Sequence, residues 1–178
     1  MDNYYANIIA KCGELSTEPT EDVVHVSIGE QKLRHYQAGH LVRDYTISTG
    51  RKPPSCVENS LGTPTGLHFI DEKIGDGAPV GMIFKGRVAQ GKTFNQLTAE
   101  ENEPNLITSR ICWLRGLEDG INAGAGVDTH DRYIYIHGTN HEERLGTPDS
   151  HGCVLLSNAE MIQLFDLLPC GTKVLIEF

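Results

Sequence analysis

The stretch that decides the fold runs from Tyr133 to Leu168, YIYIHGTNHEERLGTPDSHGCVLLSNAEMIQLFDLL. Its first residues alternate, with Ile134 and Ile136 on one face of an extended chain and Tyr133, Tyr135 and His137 on the other. That period of two is the pattern of a half-buried strand. The strand delivers His137 into Gly138 and a polar loop, which returns through Ser150, His151 and Gly152 to Cys153, 153 − 137 = 16 positions later. A base at a strand end with a cysteine in a turn of small residues is, in outline, a nucleophile assembly. Gly152, lacking a Cβ, lets backbone approach a substrate closely. After the cysteine, Ser157-x-x-Glu160 reads as a capping box, and Met161, Leu164, Phe165 and Leu168 recur at helical spacing, so an amphipathic helix follows. Pro169 and Gly171 stop it, and KVLIEF is a closing strand.

Outward from this stretch the chain reads mostly as strands. Val24, Val26 and Ile28 alternate with His25 and Ser27, and Leu33–Tyr36 and Leu41–Ile47 form two more strands joined by a turn at Ala38-Gly39-His40. Leu67–Ile70 is a short strand. Residues 71–105 carry five glycines, with GMIFKGR as their only strand-like part; so long an excursion is a lid over a site or a surface insertion. SRICWLRGL, Ser109 to Leu117, sets Trp113 in or beside the core as helix or strand, and Cys112 is expected to pack there as a small apolar residue. Asp119–His130 is loop. A short helix on Tyr4, Ile8 and Ile9 is expected over Met1–Cys12, followed by a polar linker. The chain is therefore mainly β with one or two helices.

With 178 residues, 39% of them hydrophobic, the chain can bury a core of its own. A net charge of −9 argues against sequence-independent nucleic-acid binding, which needs a basic face. No run of about 18 apolar residues is present to span a membrane as a helix. The five cysteines form no CxxC pair and no even disulfide set, which fits a reducing compartment better than an oxidising one. The first residues lack the charged start and the apolar run of about 7–15 residues of a signal peptide. The chain as given is accordingly expected in the cytoplasm; a preceding export segment would place it in the periplasm or cell envelope.

The His137-Gly138 pair, the gap, and Ser150-His151-Gly152-Cys153 resemble the catalytic motif of the YkuD-type L,D-transpeptidase family. TPTGLHFI, from Thr63 to Ile70, resembles that family's Thr-Pro-x-Gly-x-x-x-Ile segment, and TISTGRKP, from Thr46 to Pro53, the Ser-Thr-Gly segment before it. The resemblance runs from Val23 to Phe178. It implies a β-sandwich-like catalytic domain over residues 23–178, behind an N-terminal segment and linker at 1–22, with 71–105 as a flap over the site. It also implies the activity: Cys153 attacks a peptidoglycan tetrapeptide stem between the diamino acid at position three and the terminal D-alanine. The thioester then passes to an amine of a second stem, giving a 3-3 cross-link, without any cofactor. His137 is the expected base. Gly152, Ser150, His151 and Gly138 are expected to support the loop and the oxyanion, with backbone N–H groups of Gly152 and Cys153 as oxyanion donors. Tyr135 and Arg132 are expected to contact substrate, and Arg110 and Arg115 are further candidate clamps for a carboxylate.

Other readings stay open at this point. The chain could be an L,D-carboxypeptidase trimming soluble stem peptides, or a catalytically weak module that binds peptidoglycan. His137, His141, His151 and Cys153 together also offer N and S ligands of the kind zinc takes. One departure from the family bears on all of these. Where the pattern has arginine two residues after the cysteine, this chain has Leu155.

Overall fold

The fold is seen in a computed structural model, which describes residues 3–178. Alternating residues build ten strands: β1 (Asp22–Ser27), β2 (Lys32–Gln37), β3 (His40–Thr46), β4 (Gly66–Ile74), β5 (Met82–Lys85), β6 (Val88–Thr93), β7 (Ile107–Gly116), β8 (Tyr135–Gly138), β9 (Val154–Leu156) and β10 (Lys173–Glu177). Two helices accompany them, α1 (Asn3–Glu14) and α2 (Asn158–Leu167). Met1 and Asp2, at the head of the expected first helix, lie outside the described residues. The β2–β3 hairpin turns on Ala38 and Gly39, whose φ values of 46° and 84° are both left-handed, as a two-residue I′ turn requires.

All ten strands join one sheet, which begins β3-β2-β1-β10-β4-β7. β10 is last in sequence yet lies in the middle, parallel to β1 and antiparallel to β4. Its residues explain this: Val174 and Ile176 enter the main core on one face, and Leu175 enters a second cluster on the other. A strand apolar on both faces gains most where both faces are covered. β7 is the hub. Ile111 pairs with Ile74 of β4 on one edge and His137 of β8 on the other, while Thr108 pairs with Ile83 of β5 and Gly138 of β8. β9 then adds parallel to β8. The sheet curls until its ends meet: just past β3, Ser48 donates to the Leu155 carbonyl at 3.0 Å and accepts from the Leu155 N–H at 2.8 Å.

The curl encloses α2. Met161, Leu164, Phe165 and Leu168 are buried against Val24, Ile70, Leu114 and Ile136, each worth about 1.5–3 kcal/mol relative to exposure. At its start Ser157 Oγ accepts from the Glu160 N–H at 3.4 Å and donates to the Glu160 carboxylate at 2.8 Å. α1 covers the opposite face, where Ile8 and Cys12 pack with Val23, Tyr36 and Leu67. A third cluster, Phe84, Ile111, Trp113 and Tyr135, lies beside the site and includes contacts from Cys153.

One segment resolves an open alternative and another differs from the expectation. SRICWLRG, ambiguous in sequence, is strand: Ile111 and Trp113 serve the aromatic cluster while Cys112 and Leu114 serve the main core. With both faces apolar, the period that marks a strand vanishes. The excursion at 71–105 carries more strand than GMIFKGR alone, because β4 continues to Ile74 and β5 pairs with β6.

Candidate active site

The alternation along β8 and β9 divides two environments. Ile134, Ile136, Val154 and Leu156 enter the main core. Tyr135, His137, Cys153 and Leu155 line a cavity of about 470 Å³, completed by Tyr133, Ser150, His151, Ile107, Asn105 and the β5–β6 turn at Gly86 and Arg87. Parallel pairing sets His137 opposite Leu155, which brings histidine and cysteine to one wall.

Cys153 is held by backbone. Its Sγ accepts from the Tyr135 N–H at 3.4 Å and donates to the Tyr133 carbonyl at 3.6 Å. Tyr133 reaches this position with a φ of +56°, so it has left the strand that the sequence starts there. Burial pushes the Cys153 thiol up to about 11, against the opposing pull of the Tyr135 N–H and the Arg132 charge. The resting residue is a thiol. His137 is 3% exposed, and its Nδ1 lies 2.8 Å from the Gly138 carbonyl. A carbonyl only accepts, so the proton sits on Nδ1 and Nε2 keeps its lone pair. Burial lowers His137 to about 4, which leaves it neutral at pH 7.

The expected supporting residues divide into those that build the loop and those on its rim. Ser150 Oγ donates to the Cys153 carbonyl at 2.5 Å and accepts from the Gly152 N–H at 3.1 Å. Ser150 is in turn fixed by Thr49 and Arg51, its N–H donating to the Thr49 carbonyl and its carbonyl accepting from the Arg51 N–H. The Gly152 N–H is thereby spent inside the loop. The expectation that it serves an oxyanion is corrected: Gly152 acts through its conformation. Its φ is +121°, and a Cβ there would meet Ile134 Cδ1 at 3.0 Å and the Gly62 carbonyl oxygen at 3.1 Å. Gly138 has a steric reason too, since a Cβ would come within 2.8 Å of Asn158 Oδ1 and the Thr108 carbonyl. His151 is exposed at the rim.

Of the expected substrate contacts, Tyr135 lines the cavity and Arg132 does not. Arg132 donates to the carbonyls of Ser55 (3.0 Å) and Gly62 (2.8 Å) and to Ser60 Oγ (3.3 Å). A guanidinium committed to three acceptors clamps the 55–62 loop and is not free to take a carboxylate, so its assignment to substrate is corrected as well. Arg110 donates to the carbonyls of Ala78 and Ser109, and Arg115 pairs with Asp71; neither lines the cavity. The zinc set does not converge. Among the described residues, the ligand-type side chains that meet are Asp71, Glu72 and His130, with Asp71 already bound by Arg115. His141 turns to Glu143.

The buried neutral histidines have a consequence for stability. His68, held by the Gly66 carbonyl (2.9 Å) and Thr129 Oγ1 (3.1 Å), is lowered by burial to about 4, like His137. Between about 4 and the ordinary 6.5 the unfolded chain binds protons that the folded chain refuses. Stability therefore falls as pH drops below 6.5, by about 2 kcal/mol per histidine at pH 5. Melting curves should show a lower Tm at pH 5 than at pH 7, with a shallower slope in His68→Gln. A Tm level across that window would contradict the neutral burial of these rings.

A sequence profile of the L,D-transpeptidase catalytic domain family matches residues 21–176. The chain belongs to this family. A stretch of 48 residues is 48% identical to a Bacillus subtilis (strain 168) protein described as a putative L,D-transpeptidase, YqjB, covering 27% of each chain. The fold is similar to that of an L,D-transpeptidase from Xylanimonas cellulosilytica, with a TM-score of 0.56 and 22% identity over 90% of this chain and 62% of that one. It also resembles the catalytic domain of an Enterococcus faecium L,D-transpeptidase solved in a form acylated by ertapenem, with a TM-score of 0.53 and 16% identity over 90% of this chain and 99% of that domain. This chain thus spans less than two thirds of the Bacillus and Xylanimonas relatives.

Two residues of this L,D-transpeptidase domain were missed in the sequence. Arg87, at the tip of the β5–β6 hairpin, donates to Tyr135 Oη at 3.1 Å and lies 4.5 Å above the Trp113 ring and 5.0 Å above that of Tyr133. The only signal for it was Gly86-Arg87 after an apolar run, where both residues take positive φ as in a tight turn. Asn158, at the start of α2, accepts from Thr108 Oγ1 and Ser109 Oγ and donates to the Thr139 carbonyl and Glu142. It ties β7 and the loop after β8 to the helix, behind Gly138.

Proposed function

We propose that this chain is a cysteine-dependent L,D-transpeptidase acting on peptidoglycan tetrapeptide stems. The observation that carries the reading is that Cys153 and a neutral His137, its Nδ1 proton fixed by Gly138, face one cavity on an L,D-transpeptidase fold. Sγ attacks the carbonyl carbon of the bond between the third residue and the terminal D-alanine, and the thiol proton passes to His137 Nε2. The tetrahedral intermediate collapses, the C–N bond breaks, and the D-alanine amine leaves with that proton. An amine of a second stem then attacks the thioester carbon and gives a proton to His137; the C–S bond breaks, the departing sulfur takes that proton back as a thiol, and the new amide is left. With the Gly152 N–H used in the loop, the Cys153 N–H is the oxyanion donor in this scheme. A thiol raised to about 11 is not a preformed thiolate, so proton removal accompanies attack.

Incubation with free tetrapeptide, reading tripeptide against cross-linked dimer, tests this. Dimer is expected; tripeptide alone would make the protein an L,D-carboxypeptidase.

Leu155 sets the electrostatics of the scheme. It is 2% exposed and faces the cavity, so the wall beside the thiol is apolar where the family pattern has a cation. In Leu155→Arg a guanidinium near Sγ should lower the thiol's pKa and raise kcat/KM. Overpacking costs about 1–3 kcal/mol, so matched melting curves belong to the comparison. A stably folded Leu155→Arg with unchanged kinetics would show that the charge of Arg132, which already draws the thiol down, is enough.

A further inference from the structure

Arg87 is the arginine whose charge is left unmet. Every other arginine of the chain is bound to a carboxylate or a main-chain carbonyl. Arg87 donates from Nη1 to Tyr135 Oη and rests its face over Trp113 and Tyr133. Among the described residues its Nε and Nη2 have no hydrogen-bond partner, and neither atom is shut off from solvent. Glu72 is felt through its charge but forms no ion pair with it. Tyr133 and Tyr135 both line the cavity of Cys153, as does Arg87 itself, so the guanidinium stands at that cavity's wall. None of the lining residues is acidic, in a chain whose net charge is −9. Leu155 leaves the wall beside the thiol apolar, and Arg87 is the lining side chain that carries a fixed charge.

We infer that Arg87 is a substrate-binding residue, its guanidinium taking a carboxylate of the bound stem peptide. The inference rests on the stem-peptide reading above and adds the group that grips the stem's negative charge, a task for which Arg132 is not free. A guanidinium offers five N–H donors in a flat fork, and a carboxylate meets two of them in parallel. The edge formed by Nε and Nη2 is the free one here, and it is an edge that such a two-point contact uses. Stacking on the rings and the bond to Tyr135 fix the plane of the fork beforehand, so little rotamer freedom remains to be lost on binding. A lysine in this place would present a point charge without that geometry. A stem peptide carries carboxylates on its terminal D-alanine and on any dicarboxylic residue within it, and both offer the same group.

The test uses the full chain carrying Cys153→Ala, so that stem peptide binds without turnover. Calorimetry compares the tetrapeptide with analogues in which one carboxyl at a time is converted to its primary amide. Arg87→Met keeps an aliphatic stem and removes the charge; it should weaken tetrapeptide binding roughly 10- to 100-fold, with Arg87→Lys in between. One amidated analogue should lose affinity for the Arg87 protein by a similar factor, yet bind Arg87→Met as well as the tetrapeptide does. Which analogue behaves so identifies the carboxylate, terminal or internal. The amide series in the Arg87 protein does not depend on any variant: if every analogue binds it as tightly as the tetrapeptide, the inference is overturned. Arg87→Met weakening the tetrapeptide and all its analogues by one common factor overturns it too, since a residue that only latches the hairpin would act that way. Both results leave the proposed function standing. No binding of any stem peptide by the Arg87 protein sinks the stem-peptide reading and this inference with it.

Discussion

Cys153→Ala is expected to abolish both turnover of tetrapeptide stems and the covalent adduct with a carbapenem, read by intact-protein mass spectrometry. Removing the nucleophile of a comparable acyl-transfer enzyme costs about 10⁶-fold, so residual activity should fall below detection. A generic alkylating reagent is the wrong probe for this. Cys170 is exposed, whereas Cys153 is half-buried with its thiol raised to about 11, and iodoacetamide should therefore find Cys170 first. Cys112 is no competitor, buried and pushed up to about 12. On the proposed function a carbapenem has to occupy the cavity before it reacts, which selects for position and not for exposure. An adduct of full yield on Cys153→Ala would mean that another residue is the nucleophile.

His137→Ala should cost about 10²–10⁴-fold in kcat/KM, and His151→Ala less than about tenfold. The difference is geometric: His137 is enclosed with its Nδ1 proton directed to Gly138, while His151 stands exposed at the rim. The pH profile adds a second readout. In the proposed scheme the competent pair is neutral thiol with neutral imidazole, lost on the acid side only as His137 protonates, near about 4. Initial rates should hold between pH 7 and about 5, provided the protein stays folded. An acid limb centred on 6.5 would instead point to a solvated base, and equal losses from the two alanine variants would move the assignment away from His137.

Much of this arrangement was legible in the sequence because it is local. The alternation from Ile134 to His137 separated core face from cavity face, and both faces stand as read. The helix after Ser157 was legible for the same reason, its apolar positions repeating within one element. What escaped reading depends on partners far away in the chain. Arg132 looked available for substrate because nothing near it in sequence accepts its hydrogen bonds; the acceptors lie at Ser55, Ser60 and Gly62. Gly152 looked like an oxyanion donor until the rotamer of Ser150 was known. Arg87 sits in the glycine-bearing excursion, where turn residues and site residues have the same composition. Its place comes from Trp113 and Tyr135, neither of which is near it in sequence.

The order in which the strands meet also governs when the proposed site comes into being. β1 pairs with β10, and Ser48 closes on Leu155, 155 − 48 = 107 residues further along. Such distant pairings form slowly, because loop closure must precede any gain. During synthesis the centre of the sheet stays open until the segment from Lys173 to Glu177 has left the ribosome. Cys153 by then has long since emerged, but as an ordinary cysteine without cavity or base. The cavity and its histidine are thus complete only with the sheet, and a chain cut short before β10 is expected to lack the proposed activity while its cysteines stay open to ordinary alkylation.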